Sequence, residues 1–134
     1  MTSLDDTVGR ILDRAHLSVL ATVGANGHPQ TSVIFVKRDG DDLVFSTIKG
    51  RRKTTNMLAN PRVNLLLHSL VDNTYVTISG TVTMVDDPDG SFHQVMYDLF
   101  MDGATPPPEP GAERVVVRLT PTRVYVQPAY QPAE

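Results

Sequence analysis

Cysteine and tryptophan are both absent from these 134 residues. Without cysteine there is no disulfide framework, no thiolate metal site and no cysteine nucleophile, a composition compatible with a reducing compartment. No run approaches the roughly 18 consecutive apolar residues that a membrane-spanning helix needs. The opening Met1-Thr2-Ser3-Leu4-Asp5-Asp6 lacks the basic start of a secretory signal. A soluble, cytoplasmic protein with no membrane partner is expected. An excess of positive charge is also missing. The net charge of −3 argues against general affinity for nucleic acid, which depends on cations spread along a phosphate track. The four histidines, His16, His28, His68 and His93, show no metal-ligand spacing, so no metal site is expected. No Gly-x-Ser-x-Gly elbow is present, which disfavours hydrolase chemistry. Neither a repeat nor a break in composition divides the chain, and residues 1–134 read as one domain able to bury a core unaided.

What is present is rich in strand patterns. A short helix is expected over residues 5–14, with Val8, Ile11, Leu12 and Ala15 on one face. Strands at 17–23 and 30–36 flank an Asn26-Gly27 pair, a strong hairpin signal. A polar turn at 38–42 leads to a third strand at 43–47. A helix at 50–60 stops before Pro61, and its Met57 and Leu58 are expected in the core. Strands at 62–70 and 74–85 follow, joined at Val71-Asp72-Asn73. The second alternates Tyr75, Thr77 and Ser79 against Val76 and Ile78, with Gly80 marking a bulge. A helix at 86–101 carries a stripe of Phe92, Val95, Met96, Leu99 and Phe100, suited to core or dimer contact. The proline-rich stretch 105–111 is a stiff extended loop, and a last strand at 114–126 bends at Thr120-Pro121-Thr122. The fold class is therefore mainly β with short helices, as a six-stranded antiparallel barrel whose openings the helices cover.

The densest chemistry lies at Lys49-Gly50-Arg51-Arg52-Lys53, between the third strand and the second helix. Four of the chain's twelve Lys and Arg residues fall there. A helix N-terminus already carries about half a positive charge, so cations packed there call for an anion, and its free N–H groups supply further donors. The alternative is a solvated basic face.

With its flanks, Leu43-Val44-Phe45-Ser46-Thr47 and Thr54 to Val63, this segment resembles the phosphate-binding strand, helix and following strand of the split β-barrel flavin proteins typified by pyridoxamine 5'-phosphate oxidase. The most specific pieces are Arg52-Lys53, Asn60-Pro61-Arg62 and Gly27-His28-Pro29-Gln30-Thr31-Ser32, and the likeness is good over residues 10–85. The resemblance implies a split barrel of the FMN-binding type. Arg52 and Lys53 would grip the cofactor phosphate, with Ser46 and Thr47 at the strand end beside it. Gln30, Ser32 and Val33 would border the ring, and Tyr75 would reach in from the other subunit of a homodimer. No catalytic side chain is identified.

The chain lacks the C-terminal Trp and Arg motif of the oxidase and ends in Gln127-Pro128-Ala129-Tyr130-Gln131-Pro132, so pyridoxamine phosphate oxidation is not expected. It is more similar in size and motif to the actinobacterial branch that uses the deazaflavin coenzyme F420, whose members include reductases of conjugated substrates such as biliverdin. That coenzyme continues past its phosphate to lactate and a glutamate tail, for which Lys49 and Arg51 are cations in surplus of the Arg52-Lys53 pair. The expected activity is hydride transfer from reduced F420 to a small conjugated acceptor, a quinone, enone or tetrapyrrole. The alternatives are an FMN-binding oxidoreductase on the same fold and a carrier or sensor of F420 or flavin without turnover.

Overall fold

Residues 4–14, 17–71 and 73–127 are described by the computed structural model. Ala15, His16, Asp72 and the tail 128–134, which the sequence reading drew on, lie outside the described residues.

Helix α1 spans Asp6–Arg14. Asp5 caps it by accepting the Val8 N–H at 2.9 Å, and Val8, Ile11 and Leu12 are buried as their spacing predicts. The hairpin follows as β1 (Leu17–Val23) and β2 (Pro29–Phe35). Its turn holds Gly27 at φ 82°, the left-handed region that glycine enters without strain. After β3 (Lys37–Asp39) and β4 (Asp42–Ile48) come α2 (Arg52–Ala59), β5 (Arg62–Ser69), β6 (Thr74–Asp86), α3 (Ser91–Phe100) and β7 (Arg114–Gln127).

The strands form one curled antiparallel sheet in the order β2-β1-β5-β6-β7-β4-β3. It has seven strands rather than the expected six. The addition is β3, three residues paired with Val44, Leu43 and Asp42. Too short to alternate and wholly charged, it reads in sequence as a turn, while charge suits an edge strand that must not pair with another chain. Arg118 ties it down, reaching Asp39 at 2.7 Å and Asp42 at 3.1 Å.

The inner faces of the sheet supply the core, led by Leu20, Leu43, Phe45, Leu65, Leu67, Ile78 and Leu119, with α1 and Met57 of α2 packed against them. Leu58 does not join it. It is 69% exposed, because an eight-residue helix lying on the barrel buries a narrow stripe that Met57 and Thr54 already fill. Helix α3 is also shorter than expected, since Asp86 still belongs to β6. The Asp87 carboxylate caps α3 by accepting the Phe92 and His93 N–H groups at 3.3 and 3.2 Å. Of the α3 stripe only Met96 is buried, and Val95 and Leu99 stay exposed. The bulge at Gly80 is present, where the pairing with β7 shifts register and leaves Thr122 unmatched opposite Ser79 and Gly80.

Candidate functional site

Strands β2 and β4 are not hydrogen-bonded neighbours in the sheet, and between them opens a groove of about 320 Å³. Val33, Ile34 and Phe35 of β2 form one wall and Ser46 of β4 the floor, while His93, Met96 and Tyr97 of α3 lean over from the other side. Phe35 stacks on Phe100 with ring centroids 5.2 Å apart, which fixes α3 against the end of β2. Arg51 and Lys53 enter at the start of α2, and Arg114 at the start of β7.

Helix α2 begins unlike α1, whose Val8 N–H meets the Asp5 carboxylate, and α3, whose Phe92 and His93 N–H groups meet that of Asp87. Its N-cap is Arg51, in extended backbone with no side-chain cap, and no acidic residue lies in its first turn. The N–H groups there are left without a carboxylate, among cations. Lys53 is half-buried, and its ammonium is held below the ordinary lysine value by burial first, then by Arg51 and Arg114. Among the described residues neither Lys53 nor Arg51 has an ion-pair partner within the groove.

Arg114 differs. It forks onto Glu109, with Nε donating to Oε1 at 3.3 Å and Nη2 to Oε1 and Oε2 at 2.8 and 3.0 Å, and Nη1 donates to Ser46 Oγ at 3.4 Å. His93 Nε2 lies 3.4 Å from the same carboxylate. The guanidinium holds Glu109 below the usual carboxylate range. His93 is pushed below the usual histidine range by burial first, then by Arg114, and its ring meets Tyr97 edge-on at 4.9 Å.

The structure gathers only part of the expected set into the groove. Val33, Ser46, Arg51 and Lys53 line it. Arg52 is exposed in the first turn of α2 and outside the lining. Lys49 is engaged elsewhere, 3.1 Å from Asp86 and 3.6 Å from Glu113, and Asp86 above all raises its pKa. Thr47 has the opposite parity to Ser46. It is fully buried, with its hydroxyl 3.1 Å from Thr54, which donates to the Ile48 carbonyl at 2.8 Å. Gln30 bonds Ser32 Oγ at 2.9 Å and accepts from Thr22, which in turn accepts from Asn56 of α2, so these side chains brace β2 against α2. Tyr75 lies on the outer sheet face beside Tyr125, with centroids 6.4 Å apart, and does not line this chain's groove. Among the described residues no three His, Asp or Glu side chains are grouped to hold a metal.

Sequence reasoning missed Arg114, His93, Tyr97 and Glu109. The i, i+4 pair His93 and Tyr97 on one helix face was the available signal. Nothing in the sequence joins Arg114 to a site across the sheet.

A family profile described as pyridoxamine 5'-phosphate oxidase matches residues 4–128. The pyridoxine/pyridoxamine 5'-phosphate oxidase of Cupriavidus metallidurans is 34% identical over 96 residues, which is 71% of this chain and 45% of that enzyme. The chain thus spans less than half the length of the curated relatives it matches. Among solved structures, an F420 reductase superimposes with a TM-score of 0.83 at 30% identity, covering 91% of this chain and 98% of the other. General stress protein 26 of Bacillus anthracis, at 21% identity and a TM-score of 0.71 over 96% of this chain and 97% of its own, shares the fold. Sequence and architecture agree, and the chain belongs to the pyridoxamine 5'-phosphate oxidase family.

Proposed function

We propose that the chain is an oxidoreductase that holds the deazaflavin coenzyme F420 in its groove and serves hydride transfer to a small conjugated acceptor of the quinone, enone or tetrapyrrole class. The observation that carries this reading is Lys53, a half-buried cation with no ion-pair partner among the described residues, at a helix start without a carboxylate and facing an apolar wall. An uncompensated cation in partial burial is costly and is retained where a ligand anion completes it. The residues present fit a flavin-type cofactor: Lys53, Arg51 and the first N–H groups of α2 would hold its phosphoryl end, and Val33, Met96 and Tyr97 offer an apolar bed for the ring. The reduced coenzyme supplies the hydride, and the side chains bind, orient and exclude water.

F420 is favoured over FMN by the 30% identity to the F420 reductase across nearly the whole of both chains. Arg51 supports it as a groove cation beside Lys53, whereas Lys49 is already neutralised. FMN is the second reading, favoured by the likeness to pyridoxine/pyridoxamine 5'-phosphate oxidases. In either case we expect a homodimer. Val33, Val19, Leu66, Thr77 and Tyr125 are successive cross-strand partners over five strands, and Val33, Leu66 and Tyr125 are 65, 38 and 46% exposed. Since Val33 also lines the groove, a second copy on that face would abut the ligand and bring its own Tyr75 into play.

Titration of the purified protein with oxidised F420 and with FMN tests the assignment. Tighter binding of F420 is expected, with Lys53→Ala weakening it about ten- to a hundredfold, the worth of one charge-assisted hydrogen bond. Tighter binding of FMN would transfer the reading to FMN, and binding of neither would remove it.

A further inference from the structure

Arg114 stands in the wall between two hollows. One is the groove, and the other is a cavity of about 360 Å³ beneath the proline-rich strap 104–113, lined by Pro106, Pro107 and Glu109. His93 and Arg114 border both. We propose that Arg114 is a carboxylate-binding residue of the groove, that Glu109 occupies its guanidinium when no ligand is bound, and that the acceptor entering the groove is a carboxylic acid whose carboxylate displaces Glu109. The proposal rests on the cofactor reading in one respect, that Lys53 and Arg51 serve the cofactor and leave Arg114 for the second ligand.

Three observations carry it. The site already holds a carboxylate on two guanidinium nitrogens, Nε donating to Oε1 at 3.3 Å and Nη2 to Oε2 at 3.0 Å, the forked geometry that distinguishes Arg from Lys. It is sheltered, with the Arg114 side chain 14% exposed and Glu109, at 27%, nearer the solvent. Exchange of Glu109 for a ligand carboxylate therefore leaves the sheltered guanidinium paired throughout and returns only the more exposed partner to water.

The strap is also built to let go. Pro106, Pro107, Pro108 and Pro110 have no N–H to give. Among the described residues, the polar ties from 105–111 to the body of the protein run through Glu109 alone, the Glu109 carbonyl merely closing a turn with Ala112. Displacing one side chain frees 105–111 while the ends stay tied at Ala104 and Glu113, and Ser46 and His93 remain beside the incoming carboxylate as neutral polar neighbours.

Benzoate and its uncharged counterpart benzamide are suitable probes, titrated calorimetrically at fixed ionic strength without cofactor. Glu109→Gln removes the internal competitor and should bind benzoate about tenfold more tightly than wild type, with benzamide unchanged; Arg114→Lys, which keeps the charge and loses the fork, should bind benzoate about tenfold more weakly than wild type. In wild-type protein, benzoate but not benzamide should raise the fast backbone motion of Glu109 and Gly111, read as a fall in their {1H}–15N heteronuclear NOE, a readout that stands even where a variant fails to fold. The proposal is overturned if Glu109→Gln gains no benzoate affinity, if the two probes behave alike, or if benzoate leaves the backbone motion of Glu109 and Gly111 unchanged. The cofactor reading fails on other grounds, an F420 and FMN affinity indifferent to Lys53→Ala, to which the benzoate measurements are blind.

Discussion

A lysine that is half-buried beside two arginines works against folding in the absence of its ligand. The pKa of Lys53 is lowered in the folded state by burial, Arg51 and Arg114, so the unfolded chain binds that proton more tightly. The cost is present in full below the folded value and is relieved as pH rises through it towards the ordinary 10.5. Lys53→Met should therefore raise the melting temperature of cofactor-free protein at pH 7 by roughly 1–3 °C while abolishing most cofactor affinity. It should also remove the alkaline gain in stability that the wild type shows. Thermal melts from pH 7 to 10.5 on both proteins check this, and a destabilised Lys53→Met would mean that the side chain is held by interactions within the fold. At this scale the sequence was informative where the site is contiguous: Arg51 and Lys53 stand within one run, and a single helix start places both. It was uninformative where partners meet only after the chain closes. Arg114, Glu109 and His93 come from a strand, a loop and a helix, and no periodicity links them. Thr47 and Ser46 show a subtler limit, because choosing which of two adjacent hydroxyls faces the groove requires the parity of β4, and only the pairing of Ser46 with Val116 and Thr47 with Val115 shows it.

The elements were legible to the extent that they alternate or carry punctuation. Gly27 and Gly80 each marked a real irregularity, the turn of the β1–β2 hairpin and the bulge opposite Thr122. Gly80 is constrained by space: a Cβ there would collide with the Thr120 carbonyl oxygen, which is backbone and cannot swing aside. Gly80→Ala should accordingly cost about 2–4 kcal/mol by forcing β6 and β7 apart at the bulge, seen as a lower urea midpoint with an unchanged slope. A neutral effect would show that the sheet relaxes there. What the sequence hid at this scale was β3 and the outward turn of Leu58. A three-residue charged edge strand has no apolar pattern to read, and which side of a two-turn helix meets a barrel depends on the tilt of the helix, which the 3.6-residue period leaves open.

On the scale of the whole molecule, one question is what covers the outer sheet face. The row Val33, Val19, Leu66, Thr77, Tyr125 runs unbroken across five paired strands, and one end of it, Val33, is also groove wall. A row broken by no charge and exposing Val33, Leu66 and Tyr125 is unusual on a surface meant to stay in water, and it begins where the ligand would lie. Assembly and ligand binding should therefore be coupled. Leu66→Asp sets a charge at the middle of the row, 38% exposed in the single chain and pointing away from the core, so the fold of each copy should survive. In a homodimer with twofold symmetry the change enters the interface twice, and the dimer should weaken by at least about a hundredfold. Because Tyr75 lies on this same face and not in its own groove, the monomer should bind F420 or FMN at least tenfold more weakly even with Lys53 and Arg51 intact. Sedimentation velocity and cofactor titration on the one variant, with circular dichroism to verify folding, decide the matter. A folded Leu66→Asp monomer that binds cofactor as tightly as wild type would show that each groove is complete within one chain, and Tyr75 would then have no part in the site.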